Sequence, residues 1–142
     1  MSRALAPRWL LGLGLALVLT ACGAGPAPSV SKADCAKADA SGVILISAAQ
    51  MRFSAPCMIA PAGIAFTVRF TNRDSTPHNL AIYDSAAKAT RLFSGDPFSG
   101  PGITVDYAIP ALAAGEYYFD CMVHPADMRG TLFVEAATPA GS

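Results

Sequence analysis

Short runs of alternating apolar and polar residues fill the chain from about residue 42 onwards. The alternation is clearest in Phe66-Thr67-Val68-Arg69-Phe70, where a large apolar residue recurs at every second position. This spacing is typical of a β-strand with one buried face. Comparable runs begin at Val43, Ile64, Asn79, Ile103, Glu116 and Thr131.

Turn-forming residues separate these runs. They include Pro61-Ala62-Gly63, Asn72-Arg73-Asp74, residues 97–102 and Ala113-Ala114-Gly115. We find no convincing amphipathic helical pattern of ten residues or more in the sequence. Several short strands joined by Pro- and Gly-rich turns favour an antiparallel sandwich or barrel, so we predict an all-β domain over residues 42–136.

The N-terminus has a different pattern. An apolar run from Trp9 to Thr20 follows a segment with two arginines and no acidic residue. It is shorter than the roughly 20 residues of a membrane-spanning helix and has the length of a signal-peptide core. It ends in Leu19-Thr20-Ala21-Cys22, which resembles the lipobox of bacterial lipoproteins.

The lipobox resemblance implies that residues 1–21 are a lipoprotein signal peptide and that Cys22 is acylated. Such a lipid anchor would hold the protein on the extracytoplasmic, periplasmic side of a bacterial cell membrane. The alternative is an ordinary secretory leader cut nearby, with Cys22 incidental. Residues 22–41 are rich in Ala, Pro, Gly and Ser and predict a flexible linker, and residues 137–142 predict a disordered tail.

Charge and composition limit the possible functions. The chain has ten basic and ten acidic residues, and removal of the leader takes Arg3 and Arg8, which leaves eight against ten and a net charge of −2. This balance provides no basic stripe for nucleic acid. The chain has two histidines and four cysteines, so any chemistry that uses these side chains depends on very few positions.

The segment 121–128 carries a thiol, an imidazole and a thioether between two predicted strands, with the spacing Cys-x2-His-x3-Met. The other histidine, His78, follows the predicted turn 72–77. Two imidazoles and one thiolate, with a weak axial thioether, are the donors of a type 1 copper site. The side chains available in these two segments therefore match the donor set of one copper ion.

Each of these residues also has a simpler interpretation. A single histidine in a β protein is more often a surface or hydrogen-bonded residue, and a buried cysteine often acts as a small hydrophobe. The alternative for Met128 is a core residue, and Met122 is a rival thioether beside the thiolate. Zinc is a chemical alternative, although structural zinc sites rarely use a thioether. The joint pattern on loops at one end of the predicted sandwich favours copper.

Residues 72–79 (NRDSTPHN) and 121–128 (CMVHPADM) resemble the two ligand loops of the cupredoxins, the plastocyanin-like blue copper proteins. Residues 92–95 (LFSG) and 110–119 (PALAAGEYYF) are similar to that family as well, and the resemblance spans residues 43–135. One departure concerns the ligand loop, since plastocyanins have one more residue between the second histidine and the methionine, and amicyanins one fewer.

The resemblance implies a Greek-key β-sandwich of about seven to eight strands and a carrier of single electrons that is not an enzyme. It assigns His78, Cys121, His124 and Met128 as copper ligands. Asn79 would bridge the two ligand loops by hydrogen bonds and tune the sulfur. Redox partner proteins would dock at the exposed edge of His124, flanked by Met122, Pro125 and Ala126, and we expect a monomer.

The remaining cysteines predict a disulfide. With Cys22 assigned to lipid and Cys121 to metal, Cys35 and Cys57 form the pair that an exported protein would oxidise. Two unpaired thiols are the alternative.

Two other functions are consistent with parts of this pattern. A copper-binding or delivery module without electron transfer would use the same ligands. A multicopper enzyme would need further histidines, a binuclear centre needs two cysteines in the ligand loop, and a Cys–His hydrolase would need oxyanion donors. The sequence shows none of these additions.

Overall fold

The computed structural model describes residues 30–136 of the chain. The predicted signal peptide 1–21, the acylated Cys22 and the predicted tail 137–142 lie outside the described residues. Residues 30–136 contain a short 3-10 turn, Lys32–Asp34, and no helix long and apolar enough to cross a membrane. They also contain ten strands: β1 (Ala36–Lys37), β2 (Val43–Ala49), β3 (Arg52–Phe53), β4 (Cys57–Pro61), β5 (Phe66–Asn72), β6 (Ala81–Tyr83), β7 (Arg91–Ser94), β8 (Ile103–Ile109), β9 (Gly115–Asp120) and β10 (Arg129–Glu135).

These strands form two sheets that enclose one hydrophobic core. The larger sheet has the order β1-β4-β10-β9-β6-β7, and the smaller has the order β3-β2-β5-β8. The predicted all-β sandwich is therefore confirmed, and each of the six predicted apolar runs contains a strand. β1, β3, β4 and β7 were not predicted, because their residues show no clear alternation of apolar and polar positions.

The alternating pattern places one face of each long strand in the core. In β5, Phe66, Val68 and Phe70 are buried, and the residues between them are more exposed. Ile44 and Ile46 of β2 pair with Val68 and Phe70 of β5, so the two strands turn the same apolar face inwards. The structure accordingly follows the period of two that the sequence shows.

The prediction of an antiparallel arrangement is wrong for three strand pairs. β1 with β4, β4 with β10, and β2 with β5 run parallel. These strands are joined by long connections that contain other strands, and such connections allow parallel pairing, whereas a tight hairpin does not. Local apolar patterning carries no information about this choice.

The folded part begins before residue 42, which corrects the predicted extent of the linker. β1 pairs with β4, and a disulfide joins Cys35 to Cys57, as expected from the cysteine inventory. Lys32 forms an ion pair with Glu135 and lies over the ring of Phe133. These contacts order a segment whose composition alone predicted a flexible linker.

Candidate metal centre

Two loops meet at one end of the sandwich. Residues 73–80 connect β5 to β6, and residues 121–128 connect β9 to β10. Ala81 at the start of β6 and Arg129 at the start of β10 both pair with Asp120 at the end of β9. The antiparallel order of β6, β9 and β10 therefore brings the two loops side by side.

His78, Cys121 and His124 converge between these loops. Their ligand atoms all lie within 4.8 Å of one another. The sulfur of Cys121 is 3.8 Å from Nδ1 of His78 and 4.0 Å from Nδ1 of His124. A thiolate and an imidazole bound at about 2.0–2.3 Å to one ion, at 120° to each other, would be about 3.8 Å apart. The spacing of the three side chains thus fits a single metal ion.

Burial and backbone contacts hold His78 in place. Its side chain is fully buried, and its backbone exchanges two hydrogen bonds of 3.1 Å with Phe98. Nε2 lies 3.0 Å from a carboxylate oxygen of Asp74 and 3.3 Å from the hydroxyl of Thr76. Nδ1 faces Cys121, on the side where the three ligand atoms meet.

The loop 121–128 closes on itself through its backbone. The amide of Cys121 donates to the carbonyl of Met128, and the amide of Met128 donates to the carbonyl of His124. The amide of His124 in turn donates to the carbonyl of Cys121. Cys121 and Met128 are fully buried, whereas His124 is half-buried. This network fixes the thiol and leaves part of the second imidazole near the surface.

The two methionines of this segment have different surroundings. Met122 is 41% exposed, and its sulfur lies 3.1 Å from the hydroxyl of Ser94 and 3.8 Å from the guanidinium of Arg91. Met128 is fully buried among the core residues. The sulfur of Met122 is thus engaged at the surface, and Met128 is the buried thioether of the loop.

Asn79 connects the Cys121 loop to the segment after β7. It is fully buried, its side-chain amide donates to the carbonyl of Gly95 at 2.8 Å, and its carbonyl oxygen accepts from the amide of Met122 at 2.9 Å. Asn79 follows His78 directly, so these bonds tie both loops together next to Cys121.

Two polar residues on the His78 side of the site, Asp74 and its partner Asn72, were not predicted from the sequence. The amide of Asp74 donates to the side-chain carbonyl of Asn72. Hydrogen bonds from the backbone of Gln50 and from His78 lower the pKa of Asp74. The sequence Asn72-Arg73-Asp74 predicts a turn, and Asp and Asn in such turns often accept local hydrogen bonds. The position of Asp74, four residues before His78, was the available clue.

The sequence also did not predict the ion pair between Asp120, which adjoins Cys121, and the half-buried Lys88. Asp120 is fully buried and pairs with Lys88, whose ammonium lies 5.3 Å from the ring centres of both Tyr83 and Tyr118. The hydrogen bond to Asp120 raises the pKa of Lys88. Asp120 follows the aromatic residues Tyr117, Tyr118 and Phe119 of β9. A carboxylate buried beside them requires such a partner, and this requirement was the signal in the sequence.

Comparison with known proteins shows to which family this chain belongs. The model of the cupredoxin-like domain matches residues 13–134. A comparison with curated protein sequences finds no significant match.

Several solved structures are similar to this chain. Dithionite-reduced auracyanin from the photosynthetic bacterium Roseiflexus castenholzii aligns over 68% of this chain and 99% of its own, at 23% identity and a TM-score of 0.60. Auracyanin A from Chloroflexus aurantiacus, described as a blue copper protein, aligns over 66% and 98%, at 22% identity and 0.57. The Cu(I) form of an amicyanin variant aligns over 68% and 86%, at 28% identity and 0.51.

Proposed function

This chain belongs to the cupredoxin-like domain family, and on that premise we propose that it carries single electrons through one type 1 copper ion. The observation that carries the proposal is the convergence of His78, Cys121 and His124 within 4.8 Å. The Cu(I) form of an amicyanin variant, which is 28% identical to this chain, supports the choice of metal.

The donor set agrees with copper chemistry. A thiolate stabilises Cu(I), and imidazoles bind both oxidation states, so the combination suits an ion that changes its charge. His78, Cys121 and His124 would be the three strong ligands of the ion, and Met128 would be the weak fourth one. Bound copper would supply the one-electron couple.

The chain's own residues keep the site rigid and dry. The fully buried side chains of His78, Cys121 and Met128 restrict the access of water. The backbone bonds within the loop 121–128 and the two bonds of Asn79 limit its movement. A rigid ligand set needs little rearrangement when the ion changes charge, which favours fast electron transfer.

The exposed edge of His124 is the proposed point of electron entry and exit. His124 is half-buried, and its neighbours Met122 and Val123 are 41% and 40% exposed. Pro125 and Ala126 are exposed as well. An apolar surface of this kind suits the small, transient contacts of redox partner proteins.

We further propose that the carrier is a monomer held on the extracytoplasmic side of a bacterial membrane by an acylated Cys22. The supporting observations are the apolar run followed by Leu19-Thr20-Ala21-Cys22 and the disulfide between Cys35 and Cys57, which is typical of an exported protein. In this role the protein is not an enzyme. Both histidines of the chain lie in the cluster, which leaves no histidine for a second metal centre.

Copper delivery is the second candidate, because it would use the same ligands. The two functions differ in what the protein transfers, because a carrier passes on an electron and keeps its copper, whereas a delivery module releases the copper ion. We expect the copper-loaded protein to pass through repeated cycles of reduction and oxidation with its copper retained against a Cu(I) chelator, and to show fast electron self-exchange. Rapid loss of copper to the chelator after reduction, with slow self-exchange, would favour delivery and contradict the carrier.

A further inference from the structure

Asp74 contacts two separate parts of the molecule through one carboxylate. Its Oδ2 lies 3.0 Å from Nε2 of His78 and accepts a hydrogen bond from the amide of Met51 at 3.3 Å. Its Oδ1 accepts from the amide of Gln50 at 3.0 Å. The residues Gln50 and Met51 form the turn between β2 and β3, so Asp74 links this turn to the metal centre.

The turn depends on an external partner. Gln50 and Met51 have φ values of 52° and 54°, a left-handed backbone that residues other than glycine rarely adopt. Such conformations persist where surrounding contacts fix them. The two acceptor oxygens of Asp74 satisfy both amides of the turn, and this fixes the position of the carboxylate in return.

A second set of bonds holds Asp74 from its own loop. The side-chain carbonyl of Asn72 accepts from the amide of Asp74 at 2.8 Å, and the side-chain amide of Asn72 donates to the carbonyls of Thr76 and Phe98. Asn72 is fully buried. Asp74 is therefore fixed by Asn72 within its own loop and by the turn amides of Gln50 and Met51, independently of its contact with His78.

The contact decides which nitrogen of His78 carries the proton. An ionised carboxylate accepts hydrogen bonds and has none to donate, so Nε2 must be the donor. In the neutral imidazole, Nδ1 then keeps its lone pair, and Nδ1 is the nitrogen that faces Cys121 at 3.8 Å. Carboxylate partners of this kind orient metal-binding histidines and raise their basicity.

We propose that Asp74 is the positioning residue of the copper site, which sets the tautomer and the ring orientation of His78 from the turn between β2 and β3. This inference rests on the proposed function, since it takes His78 as a copper ligand. The turn formed by Gln50 and Met51 lies outside both ligand loops. It holds the Asp74 carboxylate, and this carboxylate in turn holds the ring of His78.

The first test uses the metal-free wild-type protein. Long-range ¹H–¹⁵N NMR correlations of the imidazoles, recorded where His78 is neutral, identify which nitrogen is protonated. We expect Nε2–H as the dominant tautomer of His78 in the wild type and a mixture of tautomers in Asp74→Ala. A dominant Nδ1–H in the wild type, or the same tautomer in both proteins, would overturn the proposal.

The second test measures Cu(II) affinity by competition with a chelator. Loss of an outer partner of a metal-binding histidine typically weakens metal binding by about 10–100-fold, and we expect that loss in Asp74→Ala. Asp74→Asn should also lose affinity, because its amide replaces one of the two acceptor oxygens. Affinities of both variants within twofold of the wild type would contradict the proposal.

Asp39→Ala is the matched control. Asp39 also accepts turn amides, from Ser41 at 2.9 Å and from Val43 at 3.0 Å, but it precedes β2, at the end opposite to Gln50 and Met51. The control should lose stability without a change in the His78 tautomer or the copper affinity. If the wild type binds Cu(II) without a visible charge-transfer band, the proposed function fails, while the metal-free tautomer still decides the role of Asp74.

Discussion

At the scale of single residues, the two methionines of the Cys121 loop differ in burial and in neighbours. Met128 is fully buried and is bonded through its backbone to Cys121 and His124. Met122 is exposed, and its sulfur lies against Ser94 and Arg91. Met122 directly follows the buried Cys121 in the loop after β9, yet its own side chain lies at the surface. Met128 is thus the better candidate for an axial ligand.

Replacement of Met128 should shift the reduction potential without loss of copper. A weak thioether stabilises Cu(II) slightly, so Met128→Leu should raise the potential by up to roughly 100 mV, about 2.3 kcal/mol for one electron. Met128→Gln should lower the potential, because an oxygen donor stabilises Cu(II). Potentiometric titration of the two variants measures both shifts.

Met122→Leu is the control for these variants. It removes a thioether adjacent to Cys121, yet it should leave the potential and the spectrum nearly unchanged. If Met122→Leu shifts the potential and Met128→Leu does not, the axial assignment is wrong.

The residues that converge here were visible in the sequence because their chemistry is rare in this chain. His78, Cys121 and His124 include both histidines of the chain. Their positions on two loops, together with the resemblance of these loops to those of the cupredoxins, predicted one site. Asp74 and Lys88 were missed for the opposite reason. Charged residues are common in loops, and their contacts with His78 and Asp120 arise only when distant segments fold together.

At the scale of secondary-structure elements, the disulfide holds a short edge strand to the sandwich. β1 has two residues and pairs with β4, and Cys35 precedes it directly while Cys57 begins β4. A strand this short gains little from its own hydrogen bonds, so the covalent link and the ion pair of Lys32 with Glu135 hold the segment in place. The sequence predicted the disulfide but not the strand, because two residues show no period.

Removal of the disulfide should destabilise the fold. The bond joins residues 22 positions apart, and in the chain-entropy model a loop of this size contributes about 3 kcal/mol. We expect the double variant Cys35→Ser, Cys57→Ser to lower the free energy of unfolding of the metal-free protein by about that amount. Urea denaturation of the two proteins checks the prediction, and equal midpoints would contradict it.

At the scale of the whole molecule, the candidate metal ligands lie at one end of the sandwich, and the N-terminal segment packs along an edge of the larger sheet. The ligand loops follow β5 and β9, whereas the N-terminal segment joins the larger sheet through β1. A tether at that edge would leave the exposed side of His124 available to partners. The sandwich architecture was predictable because alternation recurs in six runs, while the parallel pairs depend on long-range connections that local patterns do not encode.

The proposed anchor makes a prediction at this scale. If Cys22 is acylated, the native protein should fractionate with membranes, and Cys22→Ser should release it or leave the leader uncut. Cys121→Ser is the matched control, since it also loses one thiol but should stay with the membrane. A soluble native protein whose mass shows no acyl chains would contradict the anchor.

The central claim is that Cys121 binds copper together with His78 and His124, and the visible absorption spectrum of the Cu(II)-loaded protein tests it most directly. Charge transfer from the thiolate to Cu(II) requires a bond between Cys121 and copper, so we predict strong visible absorption. Cys121→Ser should abolish this band while the far-UV circular dichroism of the β-sandwich persists. A colourless Cu(II)-loaded wild type, or a coloured Cys121→Ser variant with the same band, would contradict the assignment.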